Sequence, residues 1–227
     1  RGRRIRQLSM KLYLAGPMRG YPRYNFDAFD SASDALRKAG HEVASPADMD
    51  REQGFNPDDK DCEAKLAKLM PSLLSADCHA ICHAEAVAFL PGWEASAGCA
   101  VELRLAMLLN KGLFVVGDDH QLQPLQKSPR ARLLLRHFQL TEDCRKIMAA
   151  KNHDYTSDGD PLANFRASTV LDVDPAIGLL LRCLDKFKRL QTFASVGKLA
   201  VKNESQVDAV MDVINYMVLL DGLMGND

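Results

Sequence analysis

The sequence predicts an α/β protein, in which a Rossmann-like parallel sheet with flanking helices is followed by a smaller all-α segment. Three observations lead to this prediction. Short apolar runs alternate with helical stretches through the first half of the chain, the connections between them are short, and strand signals stop after about residue 117. Strands that alternate with helices form parallel sheets, because each return to the sheet needs a crossover connection.

Four apolar runs of strand length predict the sheet, at residues 11–15, 41–44, 86–90 and 113–116. Apolar residues at helical spacing predict helices between them, over residues 25–39, 61–82 and 98–110, with a break near Pro71 in the second. Residues 48–57 are polar and are predicted to form a loop. Ligands of such sheets bind beyond the carboxyl ends of the strands, so we expect a site at that edge.

The pattern divides the chain into four parts. Residues 1–9 are basic and are predicted to be a tag or a disordered tail, with a basic binding arm as the alternative. Residues 10–117 form the predicted α/β domain, and residues 118–131, which are polar and contain two prolines, form a predicted linker. Residues 132–227 form the predicted all-α domain, since helical patterns cover 131–150, 175–193 and 205–224.

Composition limits the classes of partner. A net charge of -1 provides no basic field, which argues against a polymeric nucleic acid and leaves a small anionic ligand open. No apolar run approaches the roughly 18 residues of a membrane span, so no membrane partner is expected. The six cysteines are scattered among apolar residues, which predicts reduced thiols in a cytoplasmic protein.

The first candidate motif is the run YLAGPMRG, which begins at Tyr13. Here a strand ends in a glycine turn, and Gly16 and Gly20 permit close approach of the backbone to an anion. Arg19 can donate two hydrogen bonds to a phosphate or a carboxylate. The alternative is an ordinary turn with a surface arginine.

The second motif is the run LPGWEASAGCAVE, which ends at Glu102. Ser96 can cap the predicted helix or bind an anion at the helix N-terminus. A helical glutamate alone usually lies at the surface, but Glu102 has apolar residues on both sides. A half-buried carboxylate is therefore expected, and such a group needs a functional or structural reason.

Together these motifs resemble the superfamily of nucleoside 2-deoxyribosyltransferases and 2′-deoxynucleoside 5′-phosphate N-hydrolases, over about residues 10–117. The run AVAFLPGW is similar to one in phage and bacterial relatives of that family. The resemblance implies that Glu102 attacks the anomeric carbon, that Tyr13 positions Glu102, and that Asp77 is the general acid or base. Pro17 departs from the family, because the nucleotide hydrolases have a serine after the glycine, whose hydroxyl would touch phosphate.

The resemblance implies a hydrolase that cleaves a 2′-deoxynucleoside 5′-monophosphate to free base and deoxyribose 5-phosphate through a covalent glycosyl–glutamate intermediate. Deoxyribosyl transfer between bases and a non-catalytic nucleotide sensor are the alternatives. No cofactor is required, and a homodimer or larger homo-oligomer is expected, because relatives complete their sites across a dimer. The substrate-binding candidates from the motifs and the resemblance are Gly16, Met18, Arg19, Gly20, Asn25, Phe26, Ser45, Pro46, Asp48, Gly92, Trp93, Ser96 and Gly98.

Two clusters contain the residue types of metal sites. The run CHAICH at residues 78–83 has Cys and His pairs at helical spacing, but no second cluster completes a zinc site. In the helical domain Glu204, Asp208 and Asp212 share a helix face, and Asp185 precedes them. A Mg²⁺ ion would account for that stripe, and a solvated face is the alternative.

The helical domain resembles a small module associated with nucleotide modification in phages, over about residues 140–224. It is more distantly similar to MazG-like all-α nucleotide pyrophosphatases. The resemblance implies a third possible activity, a magnesium-dependent dNTP pyrophosphatase. The paired E-x-x-E and E-x-x-D pattern of the pyrophosphatases is absent from the sequence, which leaves nucleotide binding or oligomer assembly as the other roles.

Overall fold

The predicted α/β architecture is confirmed by a computed structural model, which describes residues 9–155, 162–197 and 205–225. A single five-stranded sheet has the order β2-β1-β3-β4-β5, in which β1 to β4 are parallel and β5 is antiparallel to β4. The strands are β1 (Lys11–Ala15), β2 (Glu42–Ala44), β3 (Ala86–Phe89), β4 (Gly112–Val116) and β5 (Leu122–Pro124).

Helices connect the parallel strands: α1 (Phe26–Lys38), α2 (Pro46–Glu52), α3 (Cys62–His83) and α4 (Ala97–Leu108). Two predictions of local structure are wrong. Residues 48–52 of the loop predicted over 48–57 belong instead to the helix α2, because Pro46 at the first helical position presets the helical backbone. The helix α3 continues through Pro71 without the predicted break.

The side chains of β1 are buried on both faces of the sheet. Leu12 and Leu14 point to one face, where they pack in a cluster with Phe26 and Phe29 of α1. Side chains alternate along a strand, so the fully buried Tyr13 points to the opposite face, on which its hydroxyl contacts α4. A polar phenol is thereby held in the middle of the sheet.

Part of the predicted linker over residues 118–131 belongs to the sheet. β5 pairs with the end of β4, and a 3₁₀ turn at Leu125–Lys127 leads into α5 (Pro129–Tyr155). The chain divides into two compact units, with the boundary between Leu134 and Leu135. Most of the predicted linker is therefore part of the first unit.

The second unit is helical in its described residues. After α5 it contains α6 (Ala163–Arg166), a 3₁₀ turn at Ala167–Leu171, α7 (Pro175–Val196) and α8 (Gln206–Met224). The helices α7 and α8 pack against each other. Asp174 caps α7, and Ser205 and Asp208 form a capping box at the start of α8. Within the described ranges, no helix is both long and apolar enough to cross a membrane.

Gly16 allows a close crossing of three elements in the first unit. A Cβ atom at this position would lie 3.0 Å from both Leu90 Cβ and Phe29 Cζ. We therefore expect Gly16→Ala to lower the free energy of unfolding by about 1–3 kcal/mol, as overpacked sites do. Gly98→Ala is the control, because its nearest neighbour would be Ser96 Oγ at 3.7 Å. Chemical denaturation of both variants tests this, and an equal effect of the two would contradict it.

Candidate active site

The candidate site lies where the strand order reverses. The chain runs from β1 outward to β2 on one side and then returns to β3 on the other side of β1. Open α/β sheets usually bind ligands between the carboxyl ends of the strands at such a reversal, here β1 and β3, and we call this position the crevice. The loop after Ala15 and the loop after Phe89 border it, as expected from the two motifs.

A short hydrogen bond joins the two motifs. The Tyr13 hydroxyl on β1 donates to Glu102 Oε1 on α4, with 2.6 Å between the oxygen atoms. Burial and the nearby carboxyls of Glu102 and Asp77 raise the pKa of Tyr13 well above its usual value. The phenol therefore stays protonated and acts as a donor. Glu102 Oε2 is buried and has no hydrogen-bond partner among the described residues.

Asp77 on α3 supplies a second buried carboxyl beside the same tyrosine. Burial raises the pKa of Asp77 to about 6, against the opposing effect of the Tyr13 hydroxyl. Burial likewise raises the pKa of Glu102 to about 7; the hydrogen bond from Tyr13 opposes this shift and the charge of Asp77 adds to it. Asp77 Oδ1 is also buried without a partner in the described part of the chain. The structure thus brings the three predicted catalytic residues together.

Asp50 on α2 is a third buried carboxyl that sequence reasoning did not single out. It is only 5% exposed, and burial, together with the charge of Asp77, raises its pKa to about 7. Asp50 lies in the run SPADMD at residues 45–50, which contains the predicted binding residues Ser45, Pro46 and Asp48. Its neighbour Asp48, which was the predicted site residue, instead pairs with Arg37 at 2.7 Å and with Arg51 at 3.3 Å.

The other predicted residues of that run are buried. Pro46 is the first residue of α2, and Ser45 precedes it as the N-cap residue. The Ser45 hydroxyl does not cap the helix, and its Oγ is buried without a hydrogen-bond partner in the described ranges. A buried hydroxyl without a partner at the carboxyl end of β2 is an exception to the usual satisfaction of buried polar groups.

The loop after β1 is held by its own contacts. Gly20 has the left-handed φ of 81°, which favours glycine. Asn25 donates through Nδ2 to the Pro17 carbonyl at 2.8 Å, so it fastens this loop. Arg19 is exposed, and its guanidinium lies 3.6 Å from Met70 Sδ on α3. The guanidinium of Arg19 therefore extends from the β1 loop toward α3.

Two predicted residues near this loop belong to the core. Phe26 is fully buried and packs edge-on against Phe55, with 5.9 Å between ring centroids. The Arg51 guanidinium covers the Phe26 ring at 4.7 Å. Met18 is partly buried against the same cluster. Their side chains support the loop that borders the crevice.

The loop after β3 turns sharply into α4. Gly92 has a φ of 85°, and Trp93 packs on Phe89 with 4.7 Å between ring centroids. Ser96 caps α4, where its Oγ accepts a hydrogen bond from Cys99 N at 3.3 Å. Gly98 is exposed in the first turn of α4. The partial positive charge of the α4 N-terminus lies at Ser96 and Ala97, next to the loop that follows β3.

The weak metal candidates of the helical unit have other partners. Asp208 Oδ2 accepts hydrogen bonds from the backbone and side chain of Ser205, and the backbone bond lowers the pKa of Asp208. Asp212 Oδ2 lies 2.9 Å from Lys186 Nζ. Asp185 is exposed, and Glu204 lies outside the described residues. Among those that are described, no three His, Cys, Asp or Glu side chains form a group that could hold a metal ion.

Residues 10–115 match the model of a family described as a domain of unknown function, DUF4406. The match runs from β1 into β4 and includes Tyr13, Asp77 and Glu102. No curated protein and no solved structure matches the chain. The similarity delimits the α/β part of the chain, and the description of the family assigns it no activity. The geometry of the site is therefore the basis of the functional proposal.

Proposed function

We propose that the chain hydrolyses the N-glycosidic bond of a 2′-deoxynucleoside 5′-monophosphate to free base and deoxyribose 5-phosphate. The observation that carries this proposal is the buried pair of carboxyls, Glu102 and Asp77, beside one tyrosine at the crevice. Retaining cleavage of a glycosidic bond needs one carboxylate that attacks and one carboxylic acid that protonates the leaving group. Two buried carboxyls with raised pKa values are suited to share protons in this way.

The first step forms a glycosyl–enzyme ester. Glu102 Oε2, the oxygen without a partner among the described residues, bonds to C1′ of the sugar while the bond from C1′ to the base nitrogen breaks. The electron pair of the broken bond goes to the base, and Asp77 gives its proton to the base. Tyr13 holds the other oxygen of Glu102 through the 2.6 Å hydrogen bond, which fixes the direction of attack.

The second step restores the enzyme. Water bonds to C1′, the bond from C1′ to Glu102 breaks with its electron pair returning to the carboxylate, and Asp77 takes a proton from the water. If a second base takes the place of water, the same intermediate gives deoxyribosyl transfer. Arg19 and the amides around Gly16 and Gly98 are the proposed phosphate ligands. The reaction is proposed to be cytoplasmic, a setting in which free thiols like the six of this chain persist.

Incubation of the purified protein with each 2′-deoxynucleoside 5′-monophosphate tests the proposal. Chromatography should show free base and deoxyribose 5-phosphate in equal amounts, and addition of a different free base should reveal transfer. The matched ribonucleotides are the substrate control. A lack of base release or exchange with every deoxynucleotide and deoxynucleoside would refute the glycosidase, and tight binding without turnover would indicate a sensor.

The dependence of kcat/KM on pH should be bell-shaped, with a maximum between about 6 and 7. Activity needs Glu102 ionised and Asp77 protonated, and their pKa values are about 7 and about 6. Because the acid has the lower of the two pKa values, only a minority of the molecules holds this pair of states even at the maximum. Further protonation of Glu102 lowers the rate toward acid pH, and further ionisation of Asp77 lowers it toward alkaline pH. Each limb should approach a slope of about tenfold per pH unit. A profile that is flat between about pH 5 and pH 9 would contradict the assigned pair.

A further inference from the structure

A separate cleft opens at the carboxyl ends of β3 and β4, within the first unit. Its volume is about 420 Å³, which is within the range of roughly 300–1,000 Å³ typical of small-molecule sites. Phe89, Pro91 and Val116 contribute to its apolar lining. Tyr13, Asp77 and Glu102 are not among the lining residues, so the cleft is distinct from the carboxyl site.

The rim of the cleft combines an aromatic ring with a cation. Tyr21 is 44% exposed, and its hydroxyl approaches Gly92 so closely that a Cβ there would lie 2.6 Å from it. The Arg130 side chain is 81% exposed, with its Nε 3.6 Å from Glu94 Oε1. An exposed ion pair of this length is weak, so the guanidinium can turn to a ligand. Such a rim suits a planar aromatic group that is attached to an anion.

The cleft and the carboxyl site are neighbours along one edge of the sheet. Tyr13 lies on β1, and the cleft lies beyond β3 and β4, the next two strands in the sheet order. Strands are spaced about 4.8 Å apart, so roughly 5–10 Å separate the two sites along this edge. The loop from Pro91 to Ser96 runs from the cleft to the start of α4, the helix that carries Glu102.

The chemistry of the proposed reaction sets the orientation of the substrate. The leaving base must lie beside the acid Asp77, on the side of α2, since Asp50 from that helix approaches Asp77. In a nucleotide the base on C1′ and the 5′-phosphate arm on C4′ leave the same face of the sugar from the two carbons that flank the ring oxygen, so they extend in diverging directions. The phosphate is therefore directed away from α2, toward the loop after β3 and the cleft.

We infer that the cleft binds a second planar aromatic group, joined through the 5′-phosphate of the deoxynucleotide that is cleaved. The preferred substrate is then a dinucleotide and not a simple monophosphate. Tyr21 stacks on the second base, and Arg130 adds a contact from the cleft side to the phosphate linkage, which Arg19 and the amides around Gly16 and Gly98 hold on the side of the cleaved nucleotide. This inference rests on the proposed function, because the position of the scissile bond at Glu102 fixes which end of the substrate reaches the cleft.

The single tryptophan of the chain makes occupancy of the cleft measurable. Trp93 is only 3% exposed and forms part of the cleft wall, so a bound aromatic group should change its fluorescence. The titration uses the Glu102→Gln variant, in which substrate is not consumed. The first probe is a 5′,5′-pyrophosphate dinucleotide of deoxyadenosine and adenosine. The second is a 3′,5′-linked deoxyadenosine dinucleotide that has no terminal phosphate. The third is deoxyadenosine monophosphate.

We expect one of the two dinucleotides to change Trp93 fluorescence and to bind about tenfold or more tightly than the monophosphate, as added base stacking does. The one that does so identifies the linkage. Tyr21→Ala and Arg130→Ala should reduce this preference toward unity. Arg132→Ala is the matched control on the same helix, because Arg132 is exposed and does not line the cleft, and it should keep the full preference.

Equal affinity of all three probes, or an unchanged preference in both cleft variants, would overturn the inference. Release of base from monophosphates by the wild-type protein is measured in parallel. If base release occurs without any dinucleotide preference, the inference fails and the glycosidase stands. If a dinucleotide changes the fluorescence of Trp93 with the expected preference but no base is ever released, the cleft is a ligand site and the proposed function fails.

Discussion

The Glu102→Gln variant should lose base release by a factor on the order of 10⁴ or more, which is the scale for removal of a covalent nucleophile. The amide keeps the shape of the side chain and can still contact Tyr13, so the fold is retained. Measurement of kcat with the best deoxynucleotide, together with trapping of the glycosyl–enzyme ester by mass spectrometry, gives the result. The ester should be found only with the wild-type glutamate.

The same substitution should stabilise the folded protein at high pH. The pKa of Glu102 is raised by burial to about 7, so the folded state binds a proton more tightly than the unfolded state. Stability that is present below the unfolded pKa is therefore lost as the pH rises through about 7. The uncharged amide of the Glu102→Gln variant would remove this loss, so the gain in unfolding temperature should be larger at pH 8 than at pH 5.

Glu63→Gln is the matched control for both measurements. Glu63 is exposed in the first turn of α3, so the loss of its charge should change neither kcat nor the dependence of stability on pH. Full activity of Glu102→Gln would exclude a covalent intermediate at this residue. An equal loss in the Glu63 variant would show that general charge effects, and not nucleophilic attack, account for the change.

Asp77→Asn should slow cleavage by a factor that depends on the leaving base. A positioned general acid typically contributes about 10²–10⁴-fold, so ordinary purine deoxynucleotides should lose about this much. N7-methyl-2′-deoxyguanosine monophosphate carries a base that is already cationic and departs without a proton. Its cleavage should therefore be nearly unaffected by the substitution. Single-turnover rates with both substrates separate protonation of the base from attack at C1′.

The control here is Asp34→Asn, an exposed aspartate on α1, which should leave both substrates at the wild-type rate. An equal loss with both substrates would mean that Asp77 acts on the sugar or on Glu102 and does not protonate the base.

Burial and the charge of Asp77 also raise the pKa of Asp50. The charge of Asp77 also contributes to the raised pKa of Glu102, so Asp77→Asn should move the remaining limb of the pH profile, that of Glu102, to lower pH.

The parallel strands and the catalytic candidates could be predicted because their signals are local. A short apolar run closed by glycine or proline identifies β1 and β3, and the carboxyl ends of such strands meet at one edge. Tyr13 and Glu102 could then be placed near each other from the motifs. Their hydrogen bond joins residues 89 positions apart, so its length and the burial of Oε2 became known only from the structure.

Asp50 shows why part of the site could not be predicted. The run at residues 45–50 contains two aspartates, and only the packing of α2 against α3 determines which of them is buried. Asp50 turns inward and Asp48 turns to two arginines. A seven-residue helix is too short for apolar periodicity to identify its buried face. The cleft was missed for a related reason, since Tyr21 and Arg130 are far apart in the sequence.

The prediction of a linker over residues 118–131 failed because proline and polar residues also occur in edge strands. β5 is only three residues long and ends in Pro124, and its partner β4 supplies the hydrogen bonds. Proline is tolerated at the edge of a sheet because it has no backbone N–H to donate to the next strand. The same composition that indicates a loop is therefore compatible with a final antiparallel strand.

The short edge strands of the sheet also affect how the protein resists aggregation. The outermost strands of the sheet, β2 and β5, have three residues each, and charged Glu42 lies at the start of β2. Neither edge strand offers the long, flat row of free backbone groups to which another chain could add a strand. Association between copies of this chain would therefore use side-chain surfaces, and a fibre that extends the sheet from molecule to molecule is disfavoured.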